Sequence, residues 1–310
     1  MTLLSVATMN GQDDLLSMVE TPEDNKPKRV YATFKTVKIG NAQTIETVKK
    51  NHLDFRISHR FGNLYDTLGS NATQRVNNTF QSFFGFDDIR DVRFSLDYGI
   101  TDDMTIAIGR NQYNKLLDGS VKYRFLHQSS DFSMPVSVAL FACMGYRHDR
   151  PEGVYGSFYN VKPFATRDEH RFNYVTQLII ASKLNDYLSL ELIPGYSHRN
   201  FILERVNPDN GASDQNGVLS IGFGGRIKLT KRLSFIGDYF YNTGAFYKNN
   251  PGVYNPLALG VELETGGHVF SMFFTNAAAL TENNFLVYTT DTWTKGQVKF
   301  GFTISRTFAL

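Results

Sequence analysis

One cysteine in 310 residues, Cys143, leaves no internal disulfide, no CxxC motif and no thiolate cage for a metal. It sits in the strand-like run VSVALFACMG at 136–145, where a lone thiol reads as a small buried hydrophobe. That run is the longest nearly apolar stretch, and a membrane helix needs ~18 or more residues. A bundle of membrane helices is therefore excluded. If the chain crosses a bilayer, it must do so as a closed barrel. Charge of one sign is also lacking: 32 basic residues against 30 acidic give a net charge of +2. That removes the broad electrostatic case for a nucleic-acid partner. Proline, at nine residues, and tryptophan, at one, are also scarce.

What the chain does have is aromatic residues and glycine, with Phe 26, Tyr 16 and Gly 25. These point to a β-rich chain with many tight turns. Its hydrophobic fraction of 42% and mean hydropathy of −0.28 look like those of a soluble protein.

The amino terminus, MTLLSVA at 1–7, looks like the tail of an apolar export segment. Its apolar run is too short, and its first basic residue, Lys26, too distant, for a full signal peptide. The expectation is a signal-peptide remnant over 1–12, with processing near Gly11 to Asp13. Residues 13–50 then read as a periplasmic amino-terminal extension or plug, loose and acidic at first, and 51–310 as a barrel. Whether 33–50 enters the lumen or lies beneath it, the pattern leaves open.

From residue 51 onward, period-two alternation dominates. Leu53, Phe55, Ile57 and Phe61 alternate with Asp54, Arg56, Ser58 and Arg60. Phe94, Leu96 and Tyr98 alternate with Arg93, Ser95 and Asp97. Twelve strands are predicted, at 51–61, 91–100, 103–112, 119–128, 135–146, 171–183, 187–198, 217–229, 232–243, 256–265, 267–275 and 296–309. Most match the ~9–11 residues with which a tilted strand crosses a bilayer.

The connections decide the class. Short turns at 101–102, 128–134, 185–186, 230–231 and 266–267 alternate with longer loops at 62–90, 114–118, 147–170, 199–216, 244–255 and 276–295. One rim then carries only turns and the other all the long loops, the rule for outer-membrane barrels. The predicted fold is an all-β, transmembrane, up-and-down antiparallel barrel with short periplasmic turns and long extracellular loops. Phe61, Tyr146, Phe172, Tyr174, Tyr196 and Tyr241 fall near the loop rim. Tyr98, Phe125, Phe235 and Phe308 fall near the turn rim, as interfacial aromatics should.

Four runs, HLDFRISHRFG (52–62), SLDYGITDDMTIAIGR (95–110), DGSVKYRFL (118–126) and FGFTISRTF (300–308), carry a family likeness. They resemble an uncharacterised family of Bacteroidota outer-membrane β-barrel proteins, filed as a domain of unknown function. The resemblance implies a barrel in the bacterial outer membrane of a Gram-negative envelope. It implies no activity, and no site residue is carried over from it.

With the apolar face on lipid, the polar face fills the lumen. The lumen-lining candidates are Asp54, Arg56, Arg60, Arg93, Asp97, Lys122, Arg124, Glu191, Arg226, Lys228, Asp238, Glu262, Glu264 and Lys299. Both signs occur, so neighbours can pair, and the interior is either a cross-linked plug or a narrow polar pore. Gly99, Gly109, Gly222, Gly224, Gly260 and Gly301 on the same face would leave room for a solute. No catalytic residue is assigned. Ser58 and His59 are adjacent on one strand and point to opposite faces, so they form no dyad. His148, Asp149, Asp168, Glu169 and His170 could meet at the feet of one loop, but their spacing specifies no metal site. Over 73–84, Val76, Phe80, Phe83 and Phe84 recur at helical spacing, giving a short helix on the barrel mouth or an aromatic patch for a partner or lipid.

The expected protein is a monomeric, porin-like barrel of unknown specific role, a narrow pore or a binder of a small polar solute. The alternative is a non-transporting scaffold that docks an envelope protein, and an outer-membrane hydrolase is a distant third. No enzyme activity and no cofactor are expected. The partner expected is outer-membrane lipid.

Overall fold

A computed structural model describes residues 28–148, 167–202, 204–265 and 268–310. The signal-peptide remnant, most of the acidic stretch after it, the 266–267 turn and Asp149 lie outside these residues.

The polar, glycine-tipped segment before the alternation forms a small hairpin, β1 (Lys38–Ile39) and β2 (Ala42–Gln43). The alternating segments then form β3 (His52–Asn63), β4 (Ile89–Thr101), β5 (Met104–Asn111), β6 (Leu116–Leu126), β7 (Ser137–Arg147) and β8 (Phe172–Lys183). They continue as β9 (Leu188–Arg199), β10 (Gly217–Lys228), β11 (Leu233–Asn242), β12 (Leu257–Thr265), β13 (His268–Thr275) and β14 (Lys299–Ala309). β3 to β14 close into one antiparallel barrel, with β14 paired to β3. Among the described residues, two helices sit in loops, α1 (Ala72–Gln81) and α2 (Glu282–Tyr288).

The twelve predicted strands are the twelve observed. The last begins at Lys299 rather than at 296, because Trp293–Lys295 makes a helical turn that ends on Gly296 in the left-handed region, φ 72°. β6 starts earlier than expected, at Leu116, so the medium loop shrinks to 112–115.

Closure sorts the two faces. Phe55, Phe94, Leu96, Ile108, Leu140, Leu192 and Phe223 point outward and are exposed, whereas Asp54, Arg56, Ser95, Asp97 and Lys122 are buried inside. A water-soluble fold would do the reverse. Among the described residues no helix is long and apolar enough to cross a membrane, which says nothing about strands. The lumen is also not uniformly polar. Phe141, Val175, Ile179, Ile193, Ile236 and Phe240 project inward from β7, β8, β9 and β11 and join one apolar cluster with Phe34, Ile39, Ile45 and Phe285. The barrel interior is thus packed in part like the core of a soluble protein, with charges set among the apolar residues: Glu191 beside Ile193 on β9, and Asp238 between Ile236 and Phe240 on β11.

Candidate functional site

The site is the filled lumen, occupied from both rims. From the turn rim enters the 33–50 segment. Its flanks are pinned there: Val30 N–H donates to Gln128 O (2.8 Å), and Thr47 Oγ1 donates to Asp102 O (2.6 Å). Between these flanks the hairpin reaches opposite walls. Val48 N–H donates to Thr105 Oγ1 of β5 (2.8 Å), while Asn41 N–H and Nδ2 donate to Asp238 of β11 (2.8 and 2.9 Å). β5 and β11 lie six strands apart around the closed ring, so a segment bonded to both runs through its interior. The turn at Gly40 has φ +44°, and a Cβ there would collide with Asp238, so only glycine fits.

The wall grips the hairpin through its charged residues. Lys122 Nζ donates to the carbonyls of Val37 (2.9 Å), Thr44 (2.8 Å) and Glu46 (3.2 Å). Arg60 Nη2 donates to Asn41 Oδ1 (2.7 Å), and its guanidinium stacks on Phe273 at 4.3 Å. Thr36 Oγ1 donates to Glu262 Oε1 (2.9 Å), and Lys35 pairs with Glu264 at 3.0 Å. Hairpin carbonyls and amides, which would be costly to bury unpaired, thus find partners on the wall.

From the loop rim, the 276–298 loop folds inward. Its helix α2 buries Asn283, Phe285, Leu286 and Val287. Asn283 Nδ2 donates to Asn173 Oδ1 (2.7 Å), and Cys143 Sγ donates to Asn283 Oδ1 (3.2 Å), so the lone thiol is buried as expected. Leu280 N–H donates to Asp91 Oδ2 (2.9 Å). The two inserted elements meet where Lys38 Nζ lies 2.7 Å from Glu282 Oε1. A cavity of about 20 Å³ remains beside Glu46, Arg56, Arg93, Asp97 and Lys122, room for one water.

The remaining candidates pair along the wall. Arg56 bridges Asp54 (3.1 Å) and Asp97 (3.4 Å), Arg93 pairs with Asp118, and Arg226 reaches Glu262 at 3.5 Å. Arg124 bonds Asp103 at 3.0 Å, and Lys299 pairs with Asp291. Glu191 is buried with neither carboxylate oxygen hydrogen-bonded among the described residues. Lys228 and Glu264 are only half-buried, near the turn rim. The interior glycines do not leave space. Arg93 fills the position beside Gly109, Glu191 that beside Gly224, Phe240 that beside Gly222 and Arg60 that beside Gly301.

Two buried acids absent from the sequence list, Asp91 and Asp118, are central. Their parity places them in phase with Arg93 and Lys122, so the signal was there. For α2 the signal was weaker: a long loop that is unusually apolar, with three consecutive alanines and Leu280, Phe285, Leu286 and Val287.

Among the described residues, the enzyme-like groupings do not assemble. Ser58 Oγ bonds Thr303 Oγ1 at 2.9 Å inside, while His59 stacks against Phe302 outside, their ring centroids 5.5 Å apart. Asp168 lies 3.7 Å from Arg171 and Glu169 lies 3.1 Å from Arg167. No group of three or more metal-ligating side chains occurs among the described residues.

The 73–84 periodicity forms α1, capped by Asn71 Oδ1 accepting from Gln74 N–H (2.8 Å). Thr79 faces inward, and Val76, Phe80, Phe83 and Phe84 are exposed. The helix therefore does not bury its apolar face on the barrel mouth. Rings run instead from Phe84 and Phe83 through Phe86 to Phe61 (4.9 Å) and Phe300 (5.6 Å) on the outer wall.

The sequence profile of a family described as a membrane bound beta barrel domain (DUF5777) matches residues 34–308. The chain belongs to this family. The match takes in both the barrel and the hairpin that fills it. The NanC porin aligns over 83% of this chain and 100% of its own, at 9% identity and a TM-score of 0.46. The KdgM porin aligns over 83% and 99%, at 9% and 0.43. An outer-membrane channel from Pseudomonas putida F1 aligns over 85% and 98%, at 10% and 0.43. A search of curated sequences finds no match.

Proposed function

We propose that this barrel of the outer membrane is a narrow pore for a small polar solute, closed by its own 33–50 hairpin. One observation supports the reading above the others. The plug is a separate segment that enters and leaves at the same rim, pinned at Gln128 and Asp102, so it can withdraw without breaking the barrel wall. A withdrawn hairpin would bare Arg60, Lys122, Asp238 and Glu262, a wall of both signs suited to a small hydrophilic solute. The protein acts by binding and passage rather than by catalysis.

The test is single-channel recording of the full-length protein in planar bilayers. It is compared with a variant whose 33–47 segment is a Gly/Ser linker of equal length. The wild type should be shut apart from rare openings, and the variant should conduct steadily. If the variant folds to a barrel by circular dichroism and stays silent, the pore reading is wrong. A non-transporting scaffold, favoured by the exposed rings of α1 at the loop rim, then stands in its place.

A further inference from the structure

An open groove of about 650 Å³ lies on the outer side of the barrel at the loop rim, away from the lumen. Its lining includes Val92 and Phe94 of β4, Arg110 of β5, and Gln112, Lys115 and His148 in the loops above. Register fixes its aspect. Phe94 pairs with Arg110, and Arg110 with Leu117, all on the outward face where Phe94 is 51% exposed. The inward neighbour Arg93 is already paired with Asp118.

The groove joins two environments. Its lower part is apolar and continuous with the lipid-facing wall through Leu96 and Ile108. Its upper part carries Arg110, Lys115 and the His148 imidazole, and none of these forms an ion pair with a carboxylate among the described residues. By contrast, Arg56, Arg93, Arg124, Arg199, Arg226 and Lys299 each face a carboxylate. Arg110 Nη1 donates to Lys115 O, which draws the guanidinium up toward the β5–β6 loop. That loop is the shortest at this rim, spanning only 112–115, so the cations stand close above the ends of β5 and β6.

We infer that this groove binds a phosphate-bearing lipid of the outer leaflet, its headgroup phosphate on Arg110 and Lys115 and an acyl chain along Phe94. Arginine beside lysine supplies the donors a phosphate accepts, arginine in a planar fork. A cation facing lipid is tolerated near the interface, whereas it is costly at mid-bilayer. The apolar floor sets a lipid apart from free phosphate as the ligand, because inorganic phosphate gains nothing from Phe94.

Native mass spectrometry of the full-length protein, in a detergent that preserves lipid contacts, tests this with bisphosphorylated lipid A as the probe. The wild type should retain one lipid, and dephosphorylated lipid A should bind at least tenfold more weakly. R110Q/K115Q should lose the same tenfold for the phosphorylated form only. F94S should weaken both forms, and millimolar inorganic phosphate should not displace the lipid. Equal retention of both forms by the wild type, or undiminished retention by R110Q/K115Q, overturns the assignment. So does displacement by inorganic phosphate, which would make the groove an anion site. The outcome does not depend on whether the lumen conducts.

Discussion

Lys38 Nζ and Glu282 Oε1 lie 2.7 Å apart in the middle of the lumen, one on the hairpin from the turn rim and the other on the helix from the loop rim. Lys38 Nζ also donates to Leu280 O (2.9 Å), and Gln43 Nε2 donates to the same Glu282 oxygen (3.2 Å). The contact locks two elements 244 residues apart in sequence. Removing one member of a buried pair leaves an uncompensated charge and costs about 3–5 kcal/mol. Lys38→Met and Glu282→Leu should each destabilise by about that much, and the double variant by far less than the sum. Urea unfolding from lipid vesicles measures the cycle, and simple additivity would show that the two elements are not coupled.

At the loop rim, Asp214 accepts from Arg199 Nη2 (2.9 Å) and pairs with Arg205, whose guanidinium lies 5.4 Å from the Tyr288 ring at the end of α2. Burial raises the Asp214 carboxyl, but hydrogen bonds and charge from Arg199 and Arg205 outweigh it and hold it below the ordinary aspartate range. A depressed carboxyl stabilises the folded state above its unfolded value of about 3.9. That contribution fades as pH falls through this value and then through the lower folded one. Protection factors of the amides at 199–202 and 204–216, which remove the intrinsic pH dependence of exchange, should therefore fall as pH drops below about 4. Asp214→Asn should show low protection already at pH 6, with little further loss of protection on acidification. Equal acid response in wild type and variant would exclude Asp214 as the titrating group.

Leu96 and Leu229 are similarly exposed, 43% and 56%, but Leu96 lies mid-strand on β4 and Leu229 in the turn after β10. Leu96→Arg should cost about 2–4 kcal/mol for refolding into bilayers and Leu229→Arg about 0–1. A barrel whose outer wall met water would treat the two alike, so equal costs would refute the lipid-facing assignment.

Much of the fold was legible because it is local. Asp54, Arg56, Ser58 and Arg60 announce their common face by parity alone, and the loop lengths announce which rim is which. The lumen's contents were less legible. Parity puts Arg60 inside without naming Asn41 as its partner, and it puts Gly109 inside without revealing that Arg93 fills the space. Val175, Ile179 and Ile193 look like any alternating apolar residues, yet they point to the lumen, because on β8 and β9 both faces are partly apolar.

The sequence by itself determined the barrel, its twelve strands, its turn and loop rims and the charged residues of its inner face, since each follows from a period of two residues and the distance between turns. Only the tertiary structure decided that the lumen is filled by the 33–50 hairpin and by α2, and that part of its wall is apolar. The reason is the reach of the contacts. Asn41 meets Asp238 across 197 residues, and no periodicity along the chain records which distant side chain a buried amide will find.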